Sequence, residues 1–292
     1  MIIRSRPHGW QLLYILRGSI VPAIAPKVLA ILVLSIAVAA VVELAPPFGI
    51  ERVSVTPFTL LGLVLSIFLS FRNSACHDRW WEGRKLWGQL IYESRSLARQ
   101  VHLLLADDSG RRRRIAYLTT AFAHALAARL RGRIVALVAL PWLDKPQREQ
   151  LAERENVPDA LLSMIAAELA QALRSGELEP ILYTQLEDRL HAMSSIQAGC
   201  ERILSTPLPF AYTLLLHRCA WMFCVLLPFG LASSLGWGTP VLSAVLAYAF
   251  FGLEPNDLPL DAMVRTIEID QLDALGERPL PEPLLPQGYL LQ

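Results

Sequence analysis

The side chains able to do chemistry are few and scattered. His8, His77, His102, His124, His191 and His217 show no metal-ligand spacing, and H-E-x-x-H is absent. Cys76, Cys200, Cys219 and Cys224 form no C-x-x-C pair, and two of them fall inside an apolar run. They read as small hydrophobes in a reducing environment, not as a disulfide framework or a zinc knuckle. A Gly-rich phosphate loop and a G-x-S-x-G elbow are also missing. His217 and Arg218 stand out because an apolar stretch surrounds them, where charge is costly unless it faces protein or water. They form either a helix-end pair satisfied by a neighbour or a station on an ion pathway. The remaining pattern works by exclusion. Thr59, Leu63, Ile67 and Phe71 recur every four residues and therefore stack along one helical face. From Leu63 to Phe71 that face covers about 12 Å. Gly62, Ser66 and Ser70 interleave at a small-xxx-small spacing that lets helices approach closely. Such a face suits ordinary helix packing or the wall of a narrow path.

The elements that must carry this face are apolar runs of membrane length. Between Lys27 and Glu43 the chain has no charge, and Val53 to Phe71 gives 19 uncharged residues. Cys219 to Leu253 gives 35, split near Ser233–Gly238. A bilayer core of ~30 Å takes ~20 apolar residues per helix. The runs predict four spans, at about 26–48, 54–74, 207–232 and 237–254. The first starts too late, and lacks a small-residue cleavage site, to be a secretory signal. Arg4, Arg6, Arg17 and Lys27 precede it, and Arg72, Arg79, Arg84, Lys85 and Arg111–Arg114 follow the second. Basic residues collect on the cytoplasmic side. Both termini and the long middle segment are therefore expected in the cytoplasm.

That middle segment is helical in pattern. Trp80, Trp87, Leu90, Ile91, Ser94, Leu97, Val101 and Leu104 recur at three and four, and further such stripes run through Ile115–Leu130, Pro158–Arg174 and Glu179–Ile203. Pro141, Pro146, Pro158 and Pro180 punctuate them. Pro279, Pro281, Pro283 and Pro286 predict an extended strap at the C-terminal end. The expected division is 1–75 (amphipathic segment and two spans), 76–205 (helical cytoplasmic region), 206–254 (two spans) and 255–292 (cytoplasmic strap or tail). With 27 basic against 26 acidic residues, charged content of 18% and mean hydropathy of +0.39, the chain is neither a nucleic-acid binder nor a disordered segment. The expectation is an all-α membrane protein that is not an enzyme, needs no cofactor and holds no metal.

Three separated motifs sharpen this. "LRGSI" (16–20), "SFRNSACHDRWWEGRKLWGQL" (70–90) and "FFGLEPNDLPLDAM" (250–263), in that order, resemble the bestrophin family in its bacterial branch. The resemblance implies a pentameric ion channel with one central pore, a hydrophobic neck and a cytosolic aperture. The family's neck is three bulky apolar residues at i, i+4 and i+8, the last lying eight residues before an R-W dipeptide. Here that dipeptide is Arg79-Trp80, and the count returns Leu63, Ile67 and Phe71. The aperture is one aliphatic residue, and "EPILYTQLEDRL" resembles its surroundings, which implies Ile181.

Animal members carry a calcium clasp of consecutive acids after the last span. Here the acids are spaced, at Glu254, Asp257 and Asp261, and interrupted by Pro255 and Pro259. Calcium takes six to eight converging oxygens, so calcium gating is not expected. The resemblance further implies a homopentamer in the bacterial inner membrane, in contact with lipid and passing monovalent ions. Selectivity stays open, between anions such as chloride, which animal and plant members pass, and the sodium or potassium that some bacterial relatives prefer. A non-conducting membrane scaffold is a more distant alternative.

Overall fold

The structure is a computed structural model that describes residues 21–44, 54–106, 110–251 and 258–286. Among the described residues the regular elements are all helical. They are α1 (Val21–Leu44), α2 (Thr56–Leu104), α3 (Arg111–Leu130), α4 (Val135–Ala139), α5 (Lys145–Ala152), α6 (Val157–Arg174), α7 (Pro180–Ser205), α8 (Phe210–Leu235), α9 (Thr239–Phe251) and α10 (Leu260–Ala274). The chain divides into two compact units, one from residues 2–78 with 207–256, the other from 79–206 with 257–292. α2 contributes to both, and the division falls inside that helix at Asp78/Arg79.

In the first unit, α1, the N-terminal part of α2, α8 and α9 are apolar along their length, as suits helices that need no polar face. Among the described residues, three apolar stretches are long enough to cross a membrane: Ile24–Leu44, a window within α2, and Phe210–Phe251. The last comprises α8 and α9, joined by the 3-10 turn Gly236–Gly238. Gly236 has φ of 48° and φ above zero suits glycine; a Cβ there would also meet Glu43 Oε1 at 2.6 Å. α9 packs along α1, and Ser35 and Ala39 of α1 are buried, as are Thr239, Ser243 and Ala247 of α9. Small residues at four-residue intervals let two backbones approach closely. Ile31, Leu65, Phe223 and Leu227 fill the rest of this core.

The second unit has a conventional helical core. Trp87, Leu90 and Leu97 of α2 join Phe122 and Leu126 of α3, Ile165 and Leu169 of α6, Met193 of α7 and Ile267 of α10, all almost wholly buried. The stripes read from sequence are the faces that pack here. α5 opens with a reciprocal cap, in which Asp144 Oδ1 accepts the Gln147 N–H (2.9 Å) and Gln147 Oε1 accepts the Asp144 N–H (3.0 Å). α10 occupies the part of the tail for which an extended strap was predicted. Pro279, Pro281, Pro283 and Pro286 lie beyond it and Pro259 just before it, so nothing in 260–274 breaks a helix, and Leu260, Met263, Val264 and Ile267 provide its apolar stripe. Residues 280–286 carry no regular secondary structure.

Candidate functional site

The face singled out in α2 is exposed. Leu63 is 61% accessible, Ile67 49% and Phe71 64%. At about 100° per residue, these three point away from the flank formed by Phe58, Leu61, Leu65 and Leu69. That flank is the packed one. Leu65 is 2% exposed, and a Cβ on Gly62 would stand 3.1 Å from the Phe223 ring. The apolar window of α2 is only 6% buried, against 28% for that of α1 and 44% for that of α8 and α9. Two hydroxyls on this stretch turn back on their own helix. Thr59 Oγ1 donates to the Val55 carbonyl (3.2 Å) and Ser66 Oγ to the Gly62 carbonyl (2.8 Å). The surface thus offered is bulky hydrocarbon.

Ile181 lies in the other unit, one residue into α7 behind Pro180, and is 69% exposed. Proline at a first helical position starts a helix without losing a bond, and this holds Ile181 in the opening turn. Leu63, Ile67 and Phe71 share one face; Ile181 is a separate feature. Glu254, Pro255, Asn256 and Asp257 lie outside the described residues, as does "LRGSI" (16–20). Asp261 accepts from Arg131 Nη1 at 2.5 Å and from both Nη atoms of Arg133 at 3.4 Å. Its carboxylate is committed to guanidinium groups. His217 takes the Trp221 indole N–H on its Nε2 (3.1 Å), and both rings pack against Phe251. Arg218 is exposed.

The arginine run after α2 has a structural use that charge counting missed. Arg114 forms a two-pronged pair with Glu168 (2.9 Å on each prong), which raises its pKa against the opposing effect of burial. Arg111, almost buried, pairs with Glu177 and lies 3.5 Å from Glu168. Arg113 bonds the Tyr117 hydroxyl and pairs with Glu277; the Tyr117 bond is the main cause of its raised pKa. The run binds α3 to α6 and to the chain beyond α10. Equally absent from the sequence reading is a cavity of about 650 Å³ in the second unit, edged by Arg79, Arg131 and Arg133. Its residues come from four separate segments, so no local pattern could disclose it.

An all-helical fold whose helices include apolar stretches of membrane length defines a membrane protein, and the comparisons give its family. The bacterial and fungal bestrophin family matches residues 1–273, and the chain belongs to that family. It is accordingly of a channel family and not an enzyme. A voltage-dependent anion channel-forming protein of Mesorhizobium japonicum is 43% identical, over 96% of this chain and 94% of its own length. One from Escherichia coli K12 is 39% identical over 99% of each chain. The crystal structure of a bacterial bestrophin homologue from Klebsiella pneumoniae superposes with a TM-score of 0.82 at 34% identity, covering 88% of this chain and 100% of that one.

Proposed function

We propose that the protein is an anion channel of the inner membrane, built as a cyclic homopentamer around one central pore. Each subunit crosses the bilayer four times, with α8 and α9 as the last two spans and both termini in the cytoplasm. The observation that carries this reading is the face of Leu63, Ile67 and Phe71. A membrane-length helix is left bare on the side opposite its own packing. Five copies of that face around an axis make three stacked apolar rings, and a closed ring needs only one repeated heterologous interface.

In such a neck an ion sheds water without gaining ligands, which makes a narrow hydrophobic constriction a barrier that gates by dewetting. Ile181 forms a second aliphatic ring at the cytosolic aperture. Micromolar calcium does not open the channel, since Asp261 is tied to Arg131 and Arg133. The anion reading is supported by the relatives' names and by family. The rings themselves carry no sign of charge. Monovalent anions, chloride foremost, are the expected cargo.

Reversal potentials of the purified protein in an otherwise empty bilayer, under asymmetric NaCl, test this. A potential close to the chloride equilibrium value is expected. One close to the sodium value overturns the anion reading in favour of a cation channel, and absence of current favours a scaffold.

A further inference from the structure

The cavity of about 650 Å³ lies wholly within the second unit and has a divided chemistry. Its wall is hydrocarbon and aromatic, with Trp87, Leu204 and Leu260 prominent. Its charged residues are all basic: Arg79, Arg131 and Arg133. Arg79 is held in place because its two Nη atoms donate to carbonyls at the end of α7, that of Ile203 (2.5 Å) and that of the capping residue Thr206. Arg131 and Arg133 share one carboxylate, that of Asp261. Three guanidinium groups against one carboxylate leave positive charge in excess, and the Arg133 side chain is half exposed.

Ligand sites typically occupy ~300–1,000 Å³ and combine apolar walls with a few placed polar groups. This cavity falls within that range. Its chain positions add a second argument. Arg79 follows the apolar run that ends at Phe71, Ile203 and Leu204 precede the one that begins at Phe210, and Leu258 follows the one that ends at Phe251. Three of the cavity's four segments thus lead into or out of a membrane run, and the fourth, Leu130–Arg133, brings two of the arginines to them. Basic pockets built from chain next to membrane runs attract acidic headgroups, while arginine matches phosphate geometrically.

We propose that this cavity binds an acidic phospholipid, with the phosphodiester on Arg79, Arg131 and Arg133 and the first carbons of the tail against Trp87 and Leu204. The proposal needs only a membrane protein. It does not rest on conduction or on its selectivity.

The test uses the intact assembly in neutral detergent. Dihexanoyl phosphatidylglycerol, dihexanoyl phosphatidylcholine and glycerol 3-phosphate are titrated separately, with binding read from thermal unfolding shifts and from adducts retained in native mass spectra. Two variants at half-exposed positions spare the core: Arg133→Gln and Leu204→Glu. Phosphatidylglycerol is expected to raise the unfolding temperature and remain bound, with the other two probes much weaker. Arg133→Gln should weaken it about fivefold, one basic group's worth, and Leu204→Glu should weaken it further. Equal binding of phosphatidylcholine, or of glycerol 3-phosphate, overturns the proposal by reducing the site to a greasy groove or a phosphate site. Parent-like phosphatidylglycerol binding by both variants places the lipid elsewhere. A changed oligomeric mass in the variants with unchanged lipid retention shows that a neighbouring subunit fills the cavity.

Discussion

An apolar ring acts on an ion by offering it nothing. Leu63, Ile67 and Phe71 are exposed in the single chain, so trimming them removes little buried hydrocarbon within the subunit. The triple variant to alanine is therefore expected to assemble and to conduct better than the parent, with selectivity little changed, in single-channel recordings. Were the three packed between subunits instead, large-to-small changes would each cost ~2–5 kcal/mol, and assembly would fail. An assembled triple variant with parental conductance would remove the neck from these residues. A second residue prediction concerns Cys200. Burial, aided by the nearby Glu201 and Glu82 carboxylates, pushes its thiol up to about 12. The thiolate is the reactive form, so between pH 7 and 10 Cys200 stays protonated and should resist maleimide in the folded protein. Mass spectrometry of labelled peptides should show modification there only after unfolding. Early labelling of Cys200 would mean that α7 opens locally. The shared face of Leu63, Ile67 and Phe71 was legible from spacing, while the neck role comes from the family resemblance. The state of Cys200 was not legible, because burial in the folded core is its main cause.

At the scale of elements, α2 is decisive. Its 49 residues are one helix, in which an apolar stretch runs on into an amphipathic one. The spacing predicted a span to 74 and a separate helix from 80. Both patterns are helical, and no proline or glycine between Phe71 and Trp80 interrupts them. The apolar part of α2 meets α8 through glycines. A Cβ on Gly230 would collide with the Phe58 ring, and one on Gly62 would press on Phe223. Gly230→Ala should therefore lower the unfolding temperature in detergent, since overpacking typically costs ~1–3 kcal/mol. Gly238→Ala serves as the control, because its added Cβ would find only an ordinary contact at 3.7 Å. Equal stability of the two variants would show that Phe58 moves aside freely.

For the whole molecule, the apolar window of α2 is 6% buried within its own subunit, so its cover is lipid or a second subunit, and the proposed pentamer supplies the second along the face of Leu63, Ile67 and Phe71. Native mass spectrometry is expected to give five times the 32.5 kDa subunit mass. A monomer or dimer in mild detergent would be incompatible with a central pore. Planar-bilayer current should also be indifferent to micromolar calcium. A steep activation curve would require a site other than Asp261, whose oxygens are engaged by Arg131 and Arg133.

What the sequence determined by itself was local and periodic. Apolar runs of membrane length, stripes at three and four, and a face repeating every four residues each follow from the geometry of one helix, whatever packs on it. Those features were enough for an all-helical membrane protein and for the face of Leu63, Ile67 and Phe71; the neck role came from the resemblance to a family. Tertiary structure decided the rest, because partners distant along the chain supply the energy. The arginine run Arg111–Arg114 looked like a topogenic flank; in the fold it meets Glu168, Glu177 and Glu277 and ties helices together. α10 hid behind a proline-rich tail because its stripe gains stability only against the core around Ile267. The cavity edged by Arg79, Arg131 and Arg133 exists only where four segments converge. Electrostatic pairing and burial depend on distance in space, and a one-dimensional pattern records distance only along a single element.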